Sequence, residues 1–356
     1  MGEMEGFTDI LSGISHLRPG IQWSLPDSNP HRGGSHDVYK ILSQDSPQWA
    51  ARVCCEPDDW EFELRAMDKF SYVKRERPDI KAPDIFFNTE NHVLYSQWLP
   101  GKPLAIWNSQ VPLTQRHRLL DDLADFLLQL WTVPVPASML PSPSKPPYST
   151  WLTESLDRAL RRTLFKTAKW GDTVDYLIIR SMIPSFAKWD HYIDLSFAHG
   201  DLNPYNIMID ANFQLIGVID WDWIHIAPVP AVIHHPWFIA DVPGWNNDGV
   251  ALGETFEVDR VYLENAIRKK EIAQHSTTQV SDLLSDSTER LFFQSSFHFK
   301  GIHEKFVKLH CARTEENLKA ARAQLDTVLT TYPDWAHLSE VKKTRDILEC
   351  GPNCHS

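Results

Sequence analysis

Three oxygen-bearing side chains define the chemistry this sequence can perform: Asp201, Asn206 and Asp220. They lie in His199-Gly200-Asp201-Leu202-Asn203-Pro204-Tyr205-Asn206 and in Ile219-Asp220-Trp221-Asp222. Moving a γ-phosphoryl group needs a carboxylate beside the attacking hydroxyl and oxygen ligands for the magnesium that bridges the nucleotide phosphates. Asp201 suits the first task, Asn206 and Asp220 the second. Taken singly, each segment reads as a turn with a capping Asp or as the end of a strand. Their spacing together points to phosphotransfer.

For these groups to meet, the chain between them must reverse. Ile207-Met208-Ile209 and Phe213 to Ile219 are β-prone runs on either side of Asp210-Ala211-Asn212, a turn-forming triplet. A hairpin pivoting at Ala211 returns Asp220 to the end that carries Asp201 and Asn206. Upstream, Asp37 to Leu42 and Trp49 to Cys54 are expected strands joined by Gln44-Asp45-Ser46-Pro47. A helix is expected from Asp58, as its cap, to Lys74, with Phe62, Met67, Phe70 and Val73 as its apolar positions. Ile85-Phe86-Phe87 and Val93-Leu94-Tyr95 flank the turn Asn88-Thr89-Glu90-Asn91. Beyond Pro100-Gly101 the periodicity becomes helical over 114–131, 153–167, 175–188, 254–274, 280–308 and 315–330, with a proline-rich connector from Val133 to Pro147.

His-Gly-Asp-Leu-Asn-Pro-Tyr-Asn and Ile-Asp-Trp-Asp resemble the Brenner-type catalytic loop and metal-binding motif of the aminoglycoside phosphotransferase and choline kinase-like family, in the branch common in filamentous fungi. Leu94 to Leu104 resembles the family's interlobe hinge. Leu119 to Leu130 with Val133-Pro134-Val135-Pro136 is similar to its helix and following proline turn, so the likeness runs from Gly33 to Pro236. It implies an α+β, protein-kinase-like two-lobed fold with a small β-rich N-lobe and a larger, mainly helical C-lobe. The expected division is 1–98 for nucleotide binding, 99–345 for the catalytic loop and acceptor site, and 346–356 as a mobile tail. It implies ATP and Mg2+ as cofactors and a small-molecule hydroxyl acceptor as partner.

The resemblance also assigns the nucleotide site. Gly33, Gly34 and Ser35 occupy the place of the phosphate-covering loop, where glycines let backbone N–H groups approach phosphate oxygens. Where the family carries a phosphate-binding lysine on the third strand, this chain has Ala50-Ala51-Arg52-Val53, so Arg52 substitutes and Lys40 is the runner-up. Glu63 fits the register of the helix glutamate that pairs with that group better than Glu61 does. Gln97, Trp98 and Leu99 would meet adenine through main-chain bonds. Arg52 is the departure that keeps a second reading open, a nucleotide-binding pseudokinase or scaffold without turnover.

Other residues invite chemistry and have structural expectations. His199 is expected to hydrogen-bond the loop, and Asp222 either to bond the loop or to touch a second magnesium. His225, His234 and His235 are expected in second-sphere or acceptor-pocket roles, and Trp221, Trp223 and Trp237 in packing. The 356 residues carry 47 acidic against 35 basic side chains, a net charge of −12, which argues against a nucleic-acid partner. Cys54, Cys55, Cys311, Cys350 and Cys354 form no disulfide framework, and Cys350-Gly-Pro-Asn-Cys354-His355 offers at most three zinc ligands. No apolar run approaches the roughly 20 residues of a membrane span. The first twenty residues hold acids where a leader would be basic and apolar. A soluble, cytoplasmic protein without a membrane partner is expected, its oligomeric state open.

Overall fold

Alternation of side chains along a strand puts even and odd positions on opposite faces, and the first sheet of this protein uses both. Strands β1 (Trp23–Ser24), β2 (His31–Arg32), β3 (His36–Ser43), β4 (Gln48–Cys54), β5 (Ile85–Asn88) and β6 (Val93–Gln97) form an antiparallel sheet in the order β1-β3-β4-β6-β5, with β2 added on β3. The odd positions Ile41, Trp49, Ala51, Val93 and Tyr95 build one buried cluster. It is closed by Ile10 and Ile14 of α1 (Gly2–Leu17), and the Tyr95 hydroxyl donates to the Ile10 carbonyl at 2.8 Å. The even positions Val38, Ala50, Arg52, Leu94 and Ser96 line a cavity on the other side. Helix α2 (Trp60–Glu76) contributes Met67 and Phe70 to that cavity.

This computed structural model describes residues 2–27, 29–32, 36–44, 48–55, 60–88, 92–140, 145–240, 242, 256–297 and 300–350. Two compact units make up the chain, and both are discontinuous: Met1–Val133 with Ala198–His225, and Pro134–Phe197 with Ile226–Ser356. In the first unit, α3 (Leu113–Trp131) follows the sheet, and the expected hairpin is present as Ile207–Ile209 paired with Leu215–Val218. Asp210 holds its turn by accepting from the amides of Asn212 and Gln214 at 2.7 and 2.8 Å. Lys102–Pro103 pairs with the hairpin's first strand, Ile207–Ile209, which is thereby the middle of three. A Cβ on Gly101 would stand 2.7 Å from the Ile209 carbonyl oxygen, so the Pro-Gly turn needs glycine there for close approach. Asp122 on α3 fixes the hairpin's second strand, accepting from the Leu215 amide and from Lys81 at 2.8 and 2.9 Å.

The second unit is mainly helical: Tyr148–Leu164, Thr173–Met182, Glu257–His275, Gln279–Ser285, Ser287–Ser295, Lys300–His310, Glu315–Thr331 and Ser339–Cys350. Asp172 and Thr314 cap two of these through their side chains. The single helix expected over 280–308 is three. Arg290, fully buried, turns back to the carbonyls of Leu283 and Asp286 at 2.6 and 2.9 Å, satisfying the end of the helix before it. Helices α1 and Ser339–Cys350 were not anticipated, and 346–350, part of the expected mobile tail, is helical. The expected cap Asp58 and the turns at 45–47 and 89–91 lie outside the described residues, as do Cys354 and His355.

Candidate active site

Everything in this site belongs to the first unit. The loop at 199–206 is built around its own side chains. Asn206 donates from Nδ2 to the Asp201 carbonyl at 2.9 Å and to Asp201 Oδ2 at 3.1 Å, while Asn203 donates to Asp201 Oδ1 at 3.0 Å. These bonds fix the carboxylate of Asp201 and engage Nδ2 of Asn206, so the atom of that side chain suited to a metal ion is Oδ1. The Ile219 amide donates to the Asn206 carbonyl at 2.9 Å, which ties the loop to the strand leading into Asp220.

Gly200 has φ +83°, and a Cβ there would lie 2.2 Å from the Trp223 carbonyl oxygen. Only glycine fits both the left-handed backbone and that approach. Asp220 is itself left-handed, φ +66°, a conformation of order 1–3 kcal/mol uphill for a side-chain-bearing residue. It aims the Asp220 carboxylate back toward Arg52, whose Nη2 is 3.4 Å from Oδ1.

His199 bridges the two motifs. Its Nε2–H donates to the Ile219 carbonyl at 3.0 Å and its Nδ1 accepts from the Asp201 amide at 3.3 Å, the structural role expected for it. At 3 % exposure the ring is neutral, burial pushing its pKa down to about 4. Trp221 packs beneath it, buried, stacked on Phe70 with centroids 4.5 Å apart and donating to the Val218 carbonyl. Trp223 departs from the packing expected of it: 60 % exposed, it lines the cavity and meets Phe62 at 5.5 Å. Trp237 packs with Ala240, Val242 and Leu291 of the second unit.

Arg52 is the hub of the charges. Its guanidinium grips Asp222 in a fork, 2.5 Å to Oδ2 and 3.1 Å to Oδ1, and also reaches His36 Nδ1 at 3.2 Å. Although burial works against its charge, Asp222 and Asp220 hold its pKa above the ordinary arginine value. Burial likewise opposes ionisation of Asp222, but Arg52 holds that carboxyl below the usual range. Asp220 is pushed the other way, up to about 6, by burial and by the neighbouring carboxylates Asp222 and Asp201, with Arg52 only partly offsetting them.

Two sequence expectations change here. Glu63 does not pair with Arg52; its Oε1 accepts from His36 Nε2 at 2.8 Å, so a histidine stands between the helix acid and the strand cation. Asp222 bonds Arg52 in place of the loop. Lys40, the alternative phosphate group, sits 5.0 Å over the Trp98 ring. His36 was not singled out by sequence reasoning, yet register reveals it: Val38 opposes Arg52, so His36 and Cys54 fall on the same cavity-side face.

The cavity measures about 730 Å³ and is lined by both segments of the unit, from Val38, Ala50 and Leu94 to Met208, Ile219 and Asp220. At its hinge edge the amides of Gln97 and Trp98 are already used, donating to the carbonyls of Asp84 and Gln48 at 2.8 Å each. The Leu99 amide has no protein acceptor among the described residues. Gly33, Gly34 and Ser35 lie outside those residues. His225, His234 and His235 do not converge on one another: His225 donates to the Trp223 carbonyl, His234 to the Ser287 carbonyl, and His235 to Glu264.

Family comparison gives a match over residues 29–235 to the phosphotransferase enzyme family. Among solved structures, aminoglycoside phosphotransferase APH(2'')-Ib bound to ADP is 13 % identical, with 89 % of this chain and 96 % of that one covered at a TM-score of 0.54. Macrolide 2'-phosphotransferase type I is 16 % identical, with 88 % and 95 % covered at 0.51. The streptomycin–ATP–APH(2'')-IIa ternary complex is 13 % identical, with 84 % and 94 % covered at 0.52. No curated protein sequence matches. At these identities the likeness establishes the fold, the α+β, protein-kinase-like two-lobed architecture expected from the sequence.

Proposed function

The chain belongs to the phosphotransferase enzyme family, and we propose that it transfers the γ-phosphoryl group of ATP, with Mg2+, to a hydroxyl of a small molecule. The observation that carries this reading is the convergence of Asp201, Asn206 and Asp220 at one end of the hairpin, with the Asp201 carboxylate oriented by two amide donors.

Asn206 Oδ1 and the Asp220 carboxylate offer hard oxygen donors suited to Mg2+. Asp220 has its pKa raised first by burial and then by the neighbouring carboxylates Asp222 and Asp201, and a divalent ion at its carboxylate would oppose both. The residues present therefore fit the ion, which when bound would neutralise charge on the phosphates. Asp201 orients the acceptor hydroxyl and accepts its proton. Arg52 holds phosphate oxygens through its fork, giving up part of its contact with Asp222. Leu99 presents its amide to adenine, with Gln97 and Trp98 contributing carbonyls and ring surface; Gly33, Gly34 and Ser35 cover the phosphates. Glu63 acts through His36 on Arg52. In this reading residues 1–98 form the nucleotide-binding lobe and 99–345 carry the catalytic loop and the acceptor site.

The test is ATP consumption by the purified protein with Mg2+ across a library of hydroxyl-bearing small molecules, repeated with Asp201→Asn. Loss of a general base should lower turnover by at least about a hundredfold while ATP affinity is retained. Undiminished turnover of a verified acceptor by Asp201→Asn refutes the role given to Asp201. The engagement of Arg52 by Asp222 and Asp220 favours the second reading, a nucleotide-binding protein without turnover. Magnesium-dependent ATP binding with no transfer to any acceptor would select it.

A further inference from the structure

On β3 and β4, His36 lies directly opposite Cys54, so imidazole and thiol leave the same face of the sheet as cross-strand neighbours. Glu63 on α2 completes a triangle: one ligand atom from each residue lies within 4.8 Å of the other two. Among the described residues no other set of three histidine, cysteine or acidic side chains gathers in this way. His36 and Glu63 are buried and Cys54 is half-buried, leaving an approach for solvent. The three come from three different elements, each anchored by the packing of the first unit.

One nitrogen, one sulfur and one carboxylate oxygen make a mixed set that suits a borderline divalent transition ion and suits Mg2+ poorly. We propose that His36, Cys54 and Glu63 form a Zn2+ site, with water as the fourth ligand. Tetrahedral bonds to such ligands separate their donor atoms by about 3.3–3.8 Å. The 2.8 Å between His36 Nε2 and Glu63 Oε1 must therefore open slightly and the thiol must close, changes within the reach of side-chain rotation.

The protons can be followed. Arg52 Nη2 donates to His36 Nδ1 and His36 Nε2–H donates to Glu63, which places the imidazole proton on Nε2. Zinc at Nε2 moves that proton to Nδ1, facing Asp222 Oδ2 at 3.9 Å, and the Arg52–His36 bond is lost. Cys54 releases its thiol proton to solvent and Glu63 binds as the carboxylate, so one proton leaves per ion. Occupancy withdraws His36 from Arg52 and leaves that guanidinium to Asp222 and Asp220. This regulatory consequence rests on the phosphotransferase reading, whereas the site itself does not.

The experiment uses the full chain, stripped with a chelator, and needs no phosphotransfer. Zn2+ is titrated in competition with a chromophoric chelator, and Co2+ is substituted to read the thiolate-to-metal charge-transfer absorption. One ion per chain with that absorption is expected. Cys54→Ser should abolish the absorption and weaken Zn2+ at least tenfold, the lower end of what even an outer-sphere partner is worth. Glu63→Gln should weaken Zn2+ while keeping the absorption, and Cys55→Ser, altering the exposed neighbour, should change neither. Absence of stoichiometric Zn2+ binding overturns the proposal, as does an absorption that survives Cys54→Ser or disappears with Cys55→Ser.

Discussion

Removing Arg52 tests the charge network where structure and sequence expectation part. In Arg52→Ala the Asp222 carboxyl, only 13 % exposed, loses a forked partner at 2.5 and 3.1 Å and is left beside Asp220. Breaking a fully buried pair by deleting one member costs about 3–5 kcal/mol. Because both groups keep some solvent contact, about 2–3 kcal/mol is the reasonable scale here. Asp222→Asn removes the charge that would be stranded, so the double variant should recover much of the loss, with a coupling energy of about 2 kcal/mol. Glu63 reaches Arg52 only through His36, so Arg52→Ala with Glu63→Gln should couple more weakly, by about 0.5–1 kcal/mol. Hydrogen exchange read by mass spectrometry on peptides covering 36–54 and 215–225 reports the local opening energies needed. The pH dependence adds a sign. With Arg52 present, the depressed Asp222 pKa contributes stability above the ordinary carboxyl range that is lost as pH falls. Without Arg52 the stranded carboxylates favour protonation, so acid should narrow the gap between variant and parent. A larger coupling to Glu63 than to Asp222 would refute the arrangement.

Asp220→Ala should weaken magnesium-dependent ATP binding by at least about tenfold, with Asn206→Ala weaker in effect; calorimetry that finds parent and Asp220 variant alike removes Asp220 from the ion's ligands. His199, with its pKa lowered to about 4 from 6.5, contributes stability that is complete above pH 6.5 and lost as pH falls toward 4. That window corresponds to about 3 kcal/mol, and a denaturation series across it should be flatter by this amount in His199→Asn; parallel curves would contradict a buried neutral ring.

Much of this site could be read from the chain because local signals and chemistry coincided. The hairpin between Asn206 and Asp220 followed from two β-prone runs and an Asx-rich turn, and it formed at Ile207–Ile209 and Leu215–Val218. What could not be read was which charges pair. A guanidinium on β4 reaches several acids equally well on paper, and it is the left-handed backbone of Asp220, invisible to residue type, that brings Asp220 and Asp222 to Arg52. His36 escaped notice because it directly follows the sequence Gly33-Gly34-Ser35, which drew the attention, although strand register assigns it a face. The break in 280–308 depends on Arg290 satisfying carbonyls that precede it, a tertiary event that periodicity does not record. Helix α1 was overlooked because its first residues were weighed only as a leader, while Ile10 and Ile14 carried its packing face.

The interrupted course of the first unit bears on how the protein is made. Its sheet and α3 are complete by Val133, but the strands that supply Asp201 and Asp220 emerge only after the intervening segment, with the unit ending at His225. At about 5–20 residues per second, a ribosome needs roughly 5–18 seconds to deliver that remainder. Through that interval the half-built cavity, walled by Val38, Ala50, Met67, Phe70 and Leu94, stands open without Met208, Ile219 or Trp221. The nascent chain therefore exposes an apolar hollow for seconds, a natural target for a holding chaperone, and synonymous codons that slow translation across 134–197 should lower the yield of folded protein while leaving its sequence unchanged.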